Sequence, residues 1–148
     1  AGNEGLVKEI KNFSLFRTYR CSPITLFELQ ETAVKYLNKK EKEIPFWNLI
    51  TVPYSSLEER CKNIAKSISF STTIEKGKSV IGGGTLPSVT LESPILLINN
   101  EKTGSIINQL IKNDIPIVPR IIKDRVCLDL RSVFNDQDAA IVQALNNT

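Results

Sequence analysis

Arg17 and Arg20 stand three apart in Leu15-Phe16-Arg17-Thr18-Tyr19-Arg20. In a helical or turn conformation that spacing puts both guanidiniums on one side. A pair of forked donors suits a phosphate or a carboxylate, and the same spacing also fits two solvent-facing arginines. Arg120 sits in the apolar run Pro119-Arg120-Ile121-Ile122, where a lone cation either meets an anionic ligand or decorates an edge strand. Arg125 and Arg131 read as surface or salt-bridge residues, with Asp129 as their partner. Gly82-Gly83-Gly84 permit positive φ and close approach of another group. They form either a loop lining a cleft or a plain turn between strands. They are not a Walker or Rossmann loop, because Gly-Lys-Ser/Thr and the required following helix are missing.

What is absent narrows the chemistry further. The 148 residues contain no histidine, which excludes a His-based triad or a His-ligated metal site within the chain. Cys21, Cys61 and Cys127 are odd in number and far apart, as expected of reduced thiols in a cytoplasmic protein rather than a disulfide framework. A net charge of +3 is compatible with anionic ligands or RNA but argues for neither. No apolar run approaches the ~20 residues that a membrane-spanning helix needs, and no signal-peptide pattern opens the chain. Methionine is absent, so Ala1-Gly2 is expected to be a processed start and the chain a piece of a longer product.

These residues must be carried by elements that the pattern predicts. A short helical face occupies 4–12, followed by a connector over 13–21. Ser22 as N-cap with Pro23 at the first helical position starts a helix that runs to about 38 and is expected to be largely buried. Residues 44–53 read as a loop anchored by Trp47. Ser56 and Glu59 form a capping-box pattern opening a helix to about 69, with Leu57, Cys61, Ile64, Ala65 and Ile68 on one face. Short β-type runs follow at 70–75, 78–81 and 95–98, then a helix over 104–112, a hairpin over 117–122 and 125–130 turning at Lys123-Asp124, and a last helix capped by Asn135. The expected fold is α/β (α+β): connecting helices over 1–69, then over 70–148 a mainly antiparallel sheet with helices packed on one face.

Taken together, several segments resemble bacterial selenocysteine synthase, the L-seryl-tRNA(Sec) selenium transferase family, over most of the chain. Gly82-Gly83-Gly84-Thr85-Leu86-Pro87 matches the family's Gly-Gly-Gly-x-Leu-Pro loop, and Pro119-Arg120-Ile121 with Leu128-Asp129-Leu130-Arg131 matches its hairpin. The family's Leu-Tyr-Arg-x-Leu-Arg segment falls on residues 15–20, ahead of Thr25-Leu26. Ile44-Pro45 and Leu49-Ile50-Thr51 match a further segment. Cys21-Ser22-Pro23 and Ser88 depart from the pattern, which leaves open a divergent relative acting on a small amino acid.

The resemblance implies the C-terminal part of a fold-type I pyridoxal-phosphate enzyme, with the small domain of that fold over 70–148. It implies seryl-tRNA(Sec) and selenophosphate as substrates, with the cofactor as electron sink, and a homo-oligomeric parent. It assigns anion binding to Arg17 and Arg20, and less strongly substrate binding to Arg120, with Gly82, Gly83 and Gly84 as a cleft loop. The cofactor lysine lies upstream of Leu6 in such enzymes, so no catalytic residue and no bound cofactor are expected in this chain, which should be inert alone. Two other readings compete: a lyase or aldolase of the same fold acting on a free amino or sugar acid, and a non-catalytic module making oligomer or RNA contacts.

Overall fold

The computed structural model describes residues 2–82 and 89–147. Their contacts divide the chain into two compact units, Ala1–Ile44 and Pro45–Thr148.

The first unit is helical. Helix α1 spans Glu4–Asn12, and the Asn3 side chain caps it by accepting from the Gly5 and Leu6 amides. A 3₁₀ segment follows at Ser14–Tyr19. Helix α2 spans Pro23–Leu37 and starts as expected, with Ser22 Oγ accepting from the Thr25 amide at 3.2 Å and Pro23 in the first turn. None of these elements contains a buried residue. The expectation of a largely buried α2 is therefore not met: Ile24, Phe27, Leu29 and Leu37 are all exposed. The helix is apolar on most sides, and its own unit supplies no second layer to cover it.

The second unit opens with helix α3, Pro45–Ile50, where a loop was expected. Proline's fixed φ suits a helix start as well as a loop, and Phe46 and Trp47 stack edge to face with ring centroids 5.5 Å apart. Helix α4 spans Tyr54–Ser67 and begins before the predicted cap at Ser56, behind Pro53. Its buried stripe of Leu57, Cys61 and Ile64 is as predicted. The sheet strands are β1 (Thr72–Val80), β2 (Thr90–Ile98), β3 (Arg120–Ile122) and β4 (Arg125–Asp129). They lie in the order β1-β2-β4-β3, every pairing antiparallel. Helix α5, Thr103–Lys112, connects β2 to β3, and α6, Asp138–Asn146, closes the described chain.

Two local features decide the register. Lys123 and Asp124 both adopt left-handed φ, 50° and 59°, the type I′ geometry of a two-residue hairpin. Gly77 lies inside one continuous β1, where two strands were expected to be separated. A Cβ there would come within 2.8 Å of Ile95 Cγ2, so glycine makes room for its neighbour rather than ending the strand.

Alternation along the strands splits the sheet into two faces. Leu96, Ile98, Val126 and Leu128 point to the helix side, where they join Leu57, Cys61 and Ile64 of α4, Ile106 and Leu110 of α5, and Ile141 and Leu145 of α6 in the main core. Ile95, Leu97 and Cys127 occupy the opposite face with Ile122 beside them. Helix α4 contributes to this core and so belongs with the sheet to the unit Pro45–Thr148.

Candidate functional site

A cleft of about 680 Å³ opens in the α/β unit at the end of the sheet. Leu49 and Ile50 of α3, Val80 at the end of β1, and Ile115 and Val118 of the segment before β3 make its apolar walls. Its polar side comes from Ser79, Arg120, Asp129 and Arg131.

Asp129, the last residue of β4, is the hub. The Ser79 hydroxyl donates to its Oδ2 at 2.5 Å, and the Ser93 hydroxyl donates to Oδ1 at 2.8 Å. The Arg131 amide donates to Oδ1 at 3.2 Å, and Arg120 Nη2 donates to Oδ2 at 3.0 Å. Arg120 Nη1 also donates to the Lys78 carbonyl at 3.2 Å. The hairpin explains the pairing: it sets Arg120 opposite Cys127, which makes Asp129 its diagonal neighbour on the same face. Burial pushes the Cys127 thiol above its ordinary pKa, while the nearby Arg120 cation opposes that shift.

The partner expected for Asp129 is corrected by these contacts. Its ion pair is with Arg120, whereas Arg125 pairs with Glu75 at 2.8 Å. Arg131 is not a surface residue: only 7% of it is exposed, and its side chain donates to the carbonyls of Ile50, Val52 and Glu92. Its enclosed Nε has no hydrogen-bond partner among the described residues. Arg60, which the sequence reading passed over, grips both oxygens of Asp138 at 2.9 and 2.7 Å and ties α4 to the start of α6.

The other predicted site residues lie elsewhere. Arg17 belongs to the 3₁₀ segment of the helical unit and Arg20 follows it directly. A 3₁₀ turn stacks positions three apart. Both arginines are exposed, and among the described residues no hydrogen bond or ion pair engages either guanidinium. Gly82 follows β1 with open space around it. Gly83 and Gly84 lie outside the described residues. The structure thus brings Arg120 to a cleft and adds Asp129 and Ser79 to it, with the buried Ser93 holding Asp129 from behind. Hairpin register was the sequence signal for the Arg120–Asp129 contact, but nothing local announced the two serines, which arrive from other strands.

Pyridoxal phosphate is held through a lysine amine in enzymes that use it covalently. No lysine lines this cleft among the described residues, so those residues do not by themselves make a site for that cofactor.

The family model described as L-seryl-tRNA selenium transferase matches residues 1–134. A protein of Clostridium perfringens (strain 13 / Type A), named L-seryl-tRNA(Sec) selenium transferase, is 30% identical over 97% of this chain and 33% of its own length. Proteins of the same name from Campylobacter jejuni (strain RM1221) and Aquifex aeolicus (strain VF5) are 28% and 27% identical, over 98% and 97% of this chain and 32% and 33% of their own lengths. The chain spans about a third of the length of the curated relatives it matches.

Proposed function

Because the chain belongs to the L-seryl-tRNA selenium transferase family, we propose that it is the C-terminal part of an enzyme that converts seryl-tRNA(Sec) to selenocysteinyl-tRNA(Sec) with selenophosphate. The observation that carries this reading is the family match, which runs through both compact units. Pyridoxal phosphate is then held by a lysine in the two thirds of the parent that this chain does not span. The chain alone is inactive, and the parent works as a homo-oligomer. Three free cysteines fit a reducing compartment, which supports the cytoplasm as its location.

In this reading Arg17 and Arg20 form the anion clamp. Selenophosphate brings oxyanions to the site, and two unengaged guanidiniums one turn apart present forked donors to them. Both arginines are exposed in a connector, where a ligand can reach them. The test is conversion of seryl-tRNA(Sec) by the full-length protein with a selenophosphate supply. Arg17→Ala and Arg20→Ala should each lower turnover at least ~100-fold, the loss expected when an anion-stabilising donor is removed. Their melting temperatures should stay at the parent value. Parent-like turnover in both variants would remove the clamp, and no conversion by the unmodified protein would remove the reading itself.

A further inference from the structure

Among the described residues, Arg120 is the one guanidinium of the cleft whose side chain is substantially exposed, and its head is already engaged. Its side chain is 45% exposed, whereas that of its partner Asp129 is 13% exposed. Two serine hydroxyls and a backbone amide, besides Arg120, hold the Asp129 carboxylate in place. An incoming carboxylate must therefore share Arg120 with an immobile carboxylate or displace it, and either course sets two like charges side by side. Arg131 gives no relief, because its Nη groups donate to backbone carbonyls and its Nε is enclosed. The rest of the lining is mostly apolar, which suits an uncharged group.

Serine carried on tRNA and free serine share the same side chain and amine. They differ at the carboxyl, which is a neutral ester in the first and an anion in the second. Discrimination between them needs an element that disfavours the anion. We propose that Asp129 is a specificity-determining residue: by neutralising Arg120 at the cleft, it makes the site accept serine as an ester and reject the free amino acid. The proposal rests on the reading that the parent acts on seryl-tRNA.

The experiment uses the full-length protein with L-serine and L-serine methyl ester as competitors of seryl-tRNA conversion, and reads the ratio of their inhibition constants. The unmodified protein should favour the ester. Asp129→Asn retains polar contacts but removes the opposing charge, and should shift the ratio toward L-serine at least ~10-fold, as expected when a carboxylate gains an unshared guanidinium. Adding Arg120→Gln to that variant should abolish the shift. An unmoved ratio in Asp129→Asn, or a shift that survives Arg120→Gln, overturns the proposal. If Asp129→Asn fails to fold, Arg120→Gln alone decides: a ratio within about 3-fold of the unmodified protein's supports neutralisation, and a shift of ~10-fold or more toward the ester, through selective loss of L-serine, shows a carboxylate receptor instead. Failure of the unmodified protein to convert seryl-tRNA removes the functional reading and this proposal together. Conversion with a flat ratio removes the specificity role alone.

Discussion

Both compact units contain helices with apolar faces, yet among the described residues only the α/β unit holds fully buried side chains. In the α/β unit Leu96, Leu97 and Leu110 are fully enclosed, while in the helical unit Leu29 is 63% exposed and Leu37 82%. The helical unit is not poorly specified, since Asn3 and Ser22 cap its two helices as a stable helix requires. Local signals determine where a helix starts and stops, whereas burial needs a second layer, which the sheet provides within the α/β unit. Leu, Ile, Phe and Tyr side chains are exposed at intervals from Leu6 to Leu37, and clusters of exposed apolar side chains mark interaction surfaces. The helical unit is thus a component whose apolar surface calls for a cover that its own residues do not supply.

The sharpest way to break this contrast is to separate the two units. A peptide of residues 1–44 should be largely unfolded in water, because helices of its length are marginal without packing. A chain of residues 45–148 should give a cooperative thermal transition, since its core closes within itself. Far-UV circular dichroism with melting curves measures both. A cooperative transition in the 1–44 peptide would show that it has a core of its own.

Matched substitutions sharpen the same contrast. Leu128→Ala, at a 4% exposed position, should cost about 2–5 kcal/mol through lost burial and a residual cavity. Leu29→Ala should cost less than about 0.5 kcal/mol in this chain, as exposed positions do. Denaturant titration reads both, and a comparable loss at Leu29 would mean that the helix is covered after all. Gly77→Ala should fall between them, at about 1–3 kcal/mol, because the added methyl overpacks Ile95.

The elements most legible in the sequence were those whose signals are local. Ser22-Pro23 gave the start of α2, the apolar stripe of α4 gave its buried face, and Lys123-Asp124 gave the hairpin. Errors arose where a residue answers to a partner distant in sequence. Gly77 read as a strand break because its reason, Ile95, comes from the neighbouring strand. Arg131 read as a surface cation because the carbonyls that enclose it belong to Ile50, Val52 and Glu92. The cleft was half legible for the same reason: Arg120 drew notice as a charge in an apolar strand, but Ser79 and Ser93 acquire meaning only when the sheet brings them to Asp129.

The cysteines divide in the same way, one in the helical unit and two in the packed one. Cys21 is exposed, whereas Cys61 and Cys127 are buried. Iodoacetamide under native conditions should therefore modify Cys21 first, with the other two reacting at least ~100-fold more slowly, as peptide mapping over time would show. Burial pushes the Cys61 thiol from its ordinary 9.0 up to about 12. Below pH 9 this thiol is protonated in folded and unfolded chains alike, so it adds no pH dependence. Between about 9 and 12 the unfolded chain releases the proton while the folded chain keeps it, and stability must fall as pH rises through that window. From pH 8 to pH 10 the unmodified chain should lose about 1 kcal/mol more than Cys61→Ala, measured by denaturant titration. An equal loss in both would show that the folded state does not hold that proton, and that the packed unit opens around α4 more readily than its enclosed side chains imply.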